Sequence, residues 1–295
     1  MHLPGGIRVS RTLRQWRSRL RPGVAILGYH RVSDARPDSL GLSVSLAHFR
    51  GQLAAIARLA QPLRLADVAR SLASGHVPPR GLVLTFDDGY ADNLHTVLPL
   101  LEEHRVPATI FVTSGNRGGE FWWDRLARAM DSTGAAPETY RIAAELERLP
   151  EQEREERLRR LEAENGARPP AVHRSLTAEE LQRLAASPLV EIGAHSESHA
   201  PLPRLTRARQ GEETRNSRLE LERLIGRPVQ SFAYPHGAIS PGTLEVVRES
   251  GFTVACCSRS DVATARSPML ALPRLWVRNL DGAGFERWLR GWLHA

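Results

Sequence analysis

Short apolar runs recur along the chain, and most of them are separated by segments with helical periodicity. In those segments apolar residues recur about every 3.6 positions, as in LAHFRGQLAAIARLA and NLHTVLPLLEEHR. Strands that alternate with helices predict a parallel sheet, and seven or eight such units predict a distorted (β/α) barrel of seven or eight parallel strands. The apolar runs that we predict to be buried strands are VAILGYH (24–30), LVLTFDD (82–88), ATIFVTS (108–114), VEIGAHS (190–196), SFAYPHG (231–237), FTVACCS (252–258) and LPRLWV (272–277).

Residues 116 to about 177 interrupt this alternation. They contain no clear strand and include the charged run ELERLPEQEREERLRRLEAENG, which is typical of solvated helices. We therefore predict one domain over residues 22–295 with a charged helical insertion at about 116–177. The paired Trp122 and Trp123 at its start have two interpretations. They are either an apolar anchor that fixes the insertion to the barrel, which we favour, or a platform on which a sugar stacks.

Charge and composition exclude several functional classes. The net charge is +7, and all 40 basic residues are arginine. Because the chain has no lysine, neither a Schiff-base lysine nor a P-loop lysine is available. The arginines are interleaved with acids and no nucleic-acid-binding motif accompanies them, so we expect no nucleic-acid partner. The adjacent Cys256 and Cys257 lie in an apolar run, which predicts two core residues in a reducing compartment.

The N-terminal segment 1–21 is basic and lacks the apolar stretch of about 7–15 residues that a signal peptide needs. We therefore expect a cytoplasmic protein. Its apolar residues fall near helical spacing, which leaves two possibilities open: a peripheral helix on anionic lipid at the inner face of the membrane, or, as we favour, a solvated or barrel-packed helix. These apolar residues are Val9, Leu13, Trp16 and Leu20.

Polar residues that can bind a metal or transfer protons stand at the ends of the predicted strands. In a parallel (β/α) barrel the carboxyl ends of all strands lie at one face, so these residues are expected to meet there. They are Tyr29 and His30, Asp87 and Asp88, His195 and His199, Tyr234 and His236, and Arg274 and Trp276.

The spacing of the two histidines in HSESH is typical of a metal site. His195 and His199, four residues apart, would lie on one side of a helical turn. Two imidazoles and one carboxylate, from Asp87 or Asp88, form the open donor set of hydrolytic zinc sites. One acid could then face the ion while the other takes a proton from the attacking water. The cation would offset the repulsion between the adjacent acids.

The motifs TFDDGY, HSESH and FAYPHG, in this order, resemble those of the NodB-type polysaccharide deacetylases, carbohydrate esterase family 4. The resemblance covers roughly residues 22–280, and the strand ending in YHRV resembles the branch of poly-N-acetylglucosamine deacetylases. It implies a hydrolase that removes the N-acetyl group from an N-acetylated amino sugar and releases a free amine and acetate.

The resemblance also implies a role for each matching residue. Asp87 would be the general base, and Tyr234 would offer its backbone N–H to the oxyanion. Pro235, His236 and Trp276 would line the substrate site. The implied ligands of a divalent metal, with zinc expected, are Asp88, His195 and His199.

Two features depart from the family pattern. The arginine that begins the usual third motif is missing, since Phe232 and Ala233 stand there, and we predict that Arg274 replaces it as the tether of Asp87. A clear Leu-x-His motif, the common source of the general acid, is also missing. We predict His30 as the acid or as a substrate ligand, with His236 second.

Two rival functions stay open. The same barrel could hydrolyse a non-sugar amide or a cyclic ureide or imide. A catalytically silent glycan-binding module is disfavoured, because both acids and both histidines are present. The oligomeric state and the identity of the acetylated glycan or glycoconjugate cannot be predicted.

Overall fold

The computed structural model of the protein describes residues 22–130, 136–166 and 173–293. The segment 1–21, with its possible membrane contact, therefore lies outside the described residues. No helix in the described ranges is long and apolar enough to cross a membrane.

The predicted distorted (β/α) barrel is confirmed. Seven parallel strands, one for each predicted run, form a curled sheet in the order β10, β1, β5, β6, β7, β8, β9, and a short strand, β4, pairs with the start of β5. Strands β2 and β3 form a separate pair. The strand bounds are β1 Ala25–Tyr29, β2 Arg31–Val32, β3 Ser43–Val44, β4 Gln61–Pro62, β5 Gly81–Phe86, β6 Ala108–Val112, β7 Val190–Ala194, β8 Ser231–Ala233, β9 Val254–Cys256 and β10 Leu275–Trp276.

The segment 272–276 connects the two edges of this sheet. Leu272 forms a parallel bridge with Cys256 of β9, and Leu275 pairs with Leu27 of β1. Arg274 lies between these two pairings and is fully buried. The segment therefore nearly closes the barrel and carries a guanidinium into it.

Alternate residues of β5 enter two different cores, as expected for a strand covered on both faces. Leu82, Leu84 and Phe86 belong to the larger core, in which the surrounding helices pack on the sheet. Val83 belongs to a second core with Phe111 and residues of β8 and β9. The period of two places Thr85 and Asp87 on the same side as Val83. Asp87 is thus directed into the barrel by the strand itself.

The helices begin and end at recognisable signals. Ser45, Thr206, Ser240 and Asp281 each accept a hydrogen bond from an N–H of the first helical turn that follows. Thr177 forms a reciprocal capping box with Glu180. The helix bounds are α1 Leu46–Leu59, α2 Leu65–Ala73, α3 Leu98–His104, α4 Trp122–Met130, α5 Ala136–Leu146, α6 Glu151–Glu164, α7 Ala178–Ala185, α8 Arg207–Ile225, α9 Pro241–Glu249 and α10 Gly282–Arg290.

Helices α4, α5 and α6 occupy the predicted insertion between β6 and β7 and share a small apolar core of their own. Leu126, Leu146 and Leu158 are fully buried in it. On its surface the Arg125 guanidinium pairs with Glu155 at 2.7 Å and with Glu162 at 2.8 Å, and so ties α4 to α6. The charged run therefore packs against α4 and α5 and does not form an isolated solvated helix.

Candidate metal centre and catalytic site

The adjacent acids are separated by a backbone turn directly after β5. The Asp87 N–H donates to the Tyr29 carbonyl at 2.9 Å and so continues the sheet ladder for one residue. Asp88 and Gly89 then adopt left-handed φ values of 73° and 74°. A Cβ on Gly89 would lie 3.0 Å from Val112 Cγ1, so the turn requires glycine. The reversal sends the two carboxylates in different directions.

Left-handed backbone is concentrated around the predicted site. Six described non-glycine residues have positive φ, and four of them are Asp88, Ser196, His199 and His236. Such conformations cost about 1–3 kcal/mol each and persist where the surrounding structure imposes them. Their clustering makes these loops candidates for a functional role.

The predicted helical turn in HSESH is wrong. Strand β7 ends at Ala194, and residues 195–200 form an irregular loop in which Ser196 and His199 have φ values of 61° and 59°. The two left-handed residues bring the His195 and His199 side chains together in place of a helix.

Glu213 of α8 holds this loop. Its Oε2 accepts hydrogen bonds from the backbone N–H groups of Glu197 at 3.1 Å and Ser198 at 2.9 Å. Its Oε1 accepts from the Ser198 hydroxyl at 2.7 Å. One buried carboxylate thus replaces the hydrogen bonds that a helix would have supplied.

Asp88, His195 and His199 form a compact donor set. Asp88 Oδ1 lies 3.5 Å from His195 Nε2 and 3.4 Å from His199 Nε2, and the three donor atoms all lie within 4.8 Å of one another. Asp88 Oδ1 is buried and has no hydrogen-bond partner among the described residues. An unpartnered buried carboxylate oxygen between two imidazole nitrogens fits a divalent cation with two nitrogen ligands and one oxygen ligand.

The protonation states also fit metal binding. His195 Nδ1 donates to the Ala233 carbonyl at 2.7 Å, so the lone pair of Nε2 faces Asp88. Burial lowers the pKa of His195 and, with the neighbouring histidines, lowers that of His199 well below its usual range. Burial and the charge of Asp87 raise the pKa of Asp88 well above its usual range, an effect that a bound cation would oppose.

Arg274 makes the contact that the tether prediction requires. Its guanidinium forms two parallel hydrogen bonds to the Asp87 carboxylate, at 2.6 and 2.7 Å, and donates to the Thr85 hydroxyl at 3.1 Å. Burial alone would raise the pKa of Asp87, but Arg274 and His195 outweigh burial and the pKa is lowered. Asp87 is therefore ionised and rigidly oriented, and its catalytic role stays a prediction.

His30 lies at the same end of the barrel, where its ring stacks on Trp276 with centroids 4.8 Å apart. The guanidinium of Arg274 lies 4.9 Å from the centroid of the same indole ring, so Trp276 supports both. Burial lowers the pKa of His30 to about 4, so this imidazole is neutral near pH 7. A neutral imidazole can bind substrate through hydrogen bonds, whereas its role as general acid stays a prediction.

The predicted oxyanion donor is wrong, because the Tyr234 N–H is already used. It donates to the Cys256 carbonyl at 3.2 Å, and the Tyr234 hydroxyl donates to the Leu270 carbonyl at 2.8 Å. Pro235 has no N–H. Within the described ranges no acceptor is found for the N–H of His236, whose φ is 57°. His236 is therefore the available backbone donor of this turn.

The His236 ring also forms part of the wall beside the metal ligands. Its centroid lies 4.7 Å from that of His199, and its Nδ1 lies 3.9 Å from Glu147 Oε1. Burial lowers the pKa of His236. The insertion thus contributes Glu147 to the edge of the site.

Trp123 makes a contact with a candidate metal ligand that the sequence did not predict. Its ring lies 4.7 Å from the His199 ring, and its Nε1 donates to the Tyr90 hydroxyl at 2.7 Å. Tyr90 in turn donates to Asp124 at 2.7 Å, and Arg31 is paired with the same carboxylate. Trp123 is buried and anchors the insertion, as we favoured, but it also confines a metal ligand. Nothing in the local spacing of these residues reveals that they meet.

Removal of either histidine ligand is expected to abolish metal binding. His195→Ala and His199→Ala should each bind Zn²⁺ more than about 100-fold more weakly. Substitution of a residue that only hydrogen-bonds to a metal ligand already lowers metal affinity about 10- to 100-fold, and loss of the ligand itself should lower it further. Calorimetric titration of the metal-free protein measures this affinity. The exposed His76→Ala variant is the matched control and should bind as tightly as the unaltered chain.

Fold and site together define a class: a (β/α) barrel in which two histidines and one aspartate that could hold a metal ion lie at the carboxyl ends of the strands. The sequence profile of the family described as polysaccharide deacetylase matches residues 74–255. The match covers more than half of the chain, which therefore belongs to the polysaccharide deacetylase family.

Individual relatives agree with this assignment. The poly-β-1,6-N-acetyl-D-glucosamine N-deacetylase of Escherichia coli K12 is 32% identical over 88 residues, which are 29% of this chain but only 13% of that enzyme. The deacetylase PplD of Streptococcus pyogenes, solved with acetate, is 18% identical with a TM-score of 0.65, over 90% of this chain and 97% of that one. IcaB of Ammonifex degensii is 20% identical with a TM-score of 0.65, over 91% and 97% of the two chains. At these identities the two structures support the fold alone.

Proposed function

We propose that the protein is a metal-dependent N-deacetylase that hydrolyses the acetamide of an N-acetylated amino sugar in a glycan or glycoconjugate. The observation that carries the proposal is that the carboxylates of Asp87 and Asp88 both lie close to the same histidine, His195. His195 Nε2 lies 3.5 Å from Asp88 and 3.7 Å from Asp87, and among the described residues an arginine holds Asp87 but not Asp88. A metal ligand and a separate, oriented carboxylate thus stand next to each other.

The three donor residues would hold a divalent cation, for which the two-imidazole, one-carboxylate set favours zinc. When bound, it supplies Lewis acidity toward the acetamide carbonyl and toward water. Asp87 is ionised and accepts the proton of the attacking water. The His236 N–H is the backbone donor for the oxygen that becomes negative during the attack. His30 and His236 are the candidates to pass a proton to the departing amine, and because burial lowers the pKa of both, each must first take up a proton, which the one that Asp87 accepts from water can supply.

Acetate release from N-acetylglucosamine oligomers tests the proposal. The substrate of the E. coli relative makes β-1,6-linked oligomers the first choice, with β-1,4-linked oligomers beside them. We expect acetate and free amine in equal amounts, activity lost on chelation and activity restored by Zn²⁺. Ring opening of a cyclic ureide without acetate release would support the first rival. Tight oligosaccharide binding by the metal-loaded protein without any product would support the silent module.

A further inference from the structure

The guanidinium of Arg154, on the first turn of α6, has an unusual environment. It is half-buried and lies over the Trp122 ring, with its Cζ 5.4 Å from the ring centroid. No carboxylate of the described residues lies within 4.0 Å of it, and it donates no hydrogen bond to them. Burial lowers the pKa of Arg154, whereas every other described arginine with a shifted pKa has it raised.

The charges of two nearby acids, Glu151 and Glu155, raise the pKa of Arg154, but burial outweighs them and neither acid forms an ion pair with it within 4.0 Å. Glu155 pairs instead with Arg125 and Arg159. A half-buried cation without an ion pair is unfavourable, because nearby charges offset only part of its desolvation. The chain therefore maintains a cation that a ligand could pair with, although stacking on Trp122 accounts for part of its burial.

Two tryptophan rings connect Arg154 to the candidate metal ligand His199. Arg154 lies over the ring of Trp122, which contacts the ring of Trp123 with centroids 5.5 Å apart, and Trp123 contacts His199 at 4.7 Å. The guanidinium therefore lies on the aromatic wall that reaches the donor set.

We propose that Arg154 and the Trp122 ring form a subsite for an anionic group, a carboxylate or a phosphate, that is carried by the substrate close to its N-acetylated sugar. The proposal rests on the proposed deacetylase function and narrows its substrate class to acidic glycans and glycoconjugates. The planar guanidinium of Arg154 can donate two parallel hydrogen bonds to a carboxylate or a phosphate. The indole ring of Trp122 can pack against the apolar face of a sugar ring.

Three N-acetylglucosamine oligomers of equal length test the subsite: a neutral one, one with a neighbouring uronic acid and one with a neighbouring phosphate. The zinc-loaded full chain should show a kcat/KM at least about 10-fold higher for one or both anionic oligomers than for the neutral one. Arg154→Gln should lower this ratio about 10- to 100-fold, as expected for a lost hydrogen bond to a charged group. Arg154→Lys, which keeps the charge but not the planar guanidinium, should retain part of the preference.

Arg160→Gln is the matched control, because Arg160 lies on the same helix, is exposed and pairs with Glu156. It should leave the ratio unchanged. An unaltered chain without preference, or an Arg154→Gln variant that lowers kcat/KM equally for all three oligomers, would contradict the subsite and leave Arg154 as a support for Trp122.

Binding measurements separate this proposal from the deacetylase function. Calorimetry with the zinc-loaded Asp87→Asn variant, in which turnover is suppressed, should show tighter binding of the anionic oligomers, and Arg154→Gln in that background should remove the difference. If no oligomer releases acetate but this difference is present, the deacetylase proposal fails and the anionic subsite stands.

Discussion

Asp87→Asn is expected to lower kcat/KM for deacetylation by about 10²- to 10⁴-fold, the range typical of a lost general base. The substitution keeps the size of the side chain and one oxygen that can accept from Arg274. It removes the negative charge and the capacity to take a proton from water. Because Asp88, His195 and His199 are untouched, Zn²⁺ should stay bound. Acetate release and the zinc content of the purified protein measure the two effects.

The neighbouring acid is the best comparison for this variant. Asp88→Asn should lose both activity and metal, because Asp88 Oδ1 lies between the two histidines. Asp67→Asn, on the surface of α2, should change neither, since Asp67 pairs only with an exposed arginine. If Asp87→Asn retained near-full activity with its zinc in place, Asp87 would not be the base. Loss of zinc from this variant would mean that Asp87 is a ligand as well.

The barrel could be predicted from sequence because its signals are local. Each core strand is an apolar run with polar residues at its end, and topology alone brings those ends to one face. For the same reason the candidate metal-binding group could be predicted: Asp88 follows β5, and His195 and His199 follow β7, two strands that are separated in the sheet only by β6. The strand period also directs Asp87 into the barrel, where Arg274 meets it.

The errors and omissions have a common physical cause, which is pairing between residues that are not local in sequence. The HSESH loop is not helical because Glu213, on the next helix along the chain, accepts hydrogen bonds from its backbone. The Tyr234 N–H is not free because β8 continues its pairing with β9 as far as Cys256. Trp123 is held beside His199 by its hydrogen bond to Tyr90 and by stacking on Phe121. None of these contacts has a signature in spacing or composition.

Arg274→Gln is expected to shift the pH dependence of kcat/KM and to destabilise the fold. In the unaltered chain Arg274 outweighs burial and keeps the pKa of Asp87 below its ordinary value, so this carboxylate is ionised throughout the neutral range. Without the guanidinium, the effect of burial is opposed only by the smaller contributions of His195 and His30, so the pKa of Asp87 rises. Since the base must be ionised, activity at the acidic end of the profile should be lost first. The pH profile of kcat/KM, measured with saturating Zn²⁺, reports the shift.

Stability provides a second, independent readout of the same pair. A carboxylate with a lowered pKa in the folded state stabilises the protein above the pKa of the unfolded chain, and this contribution is lost as the pH falls through the folded-state value. Arg274→Gln removes that contribution and leaves a buried charge unpaired, which typically costs about 3–5 kcal/mol of unfolding free energy. Urea denaturation near pH 7 measures the loss.

The double variant Asp87→Asn/Arg274→Gln decides between tethering and simple packing. With both charges gone, no unpaired charge stays buried, so the double variant should be more stable than Arg274→Gln alone although it lacks one more native group. Arg278→Gln, just beyond β10 and exposed, is the control and should leave both stability and pH profile unchanged. Destabilisation that is additive in the double variant, with an unmoved acidic limb in Arg274→Gln, would show that Arg274 fills space in the barrel without controlling the charge of Asp87.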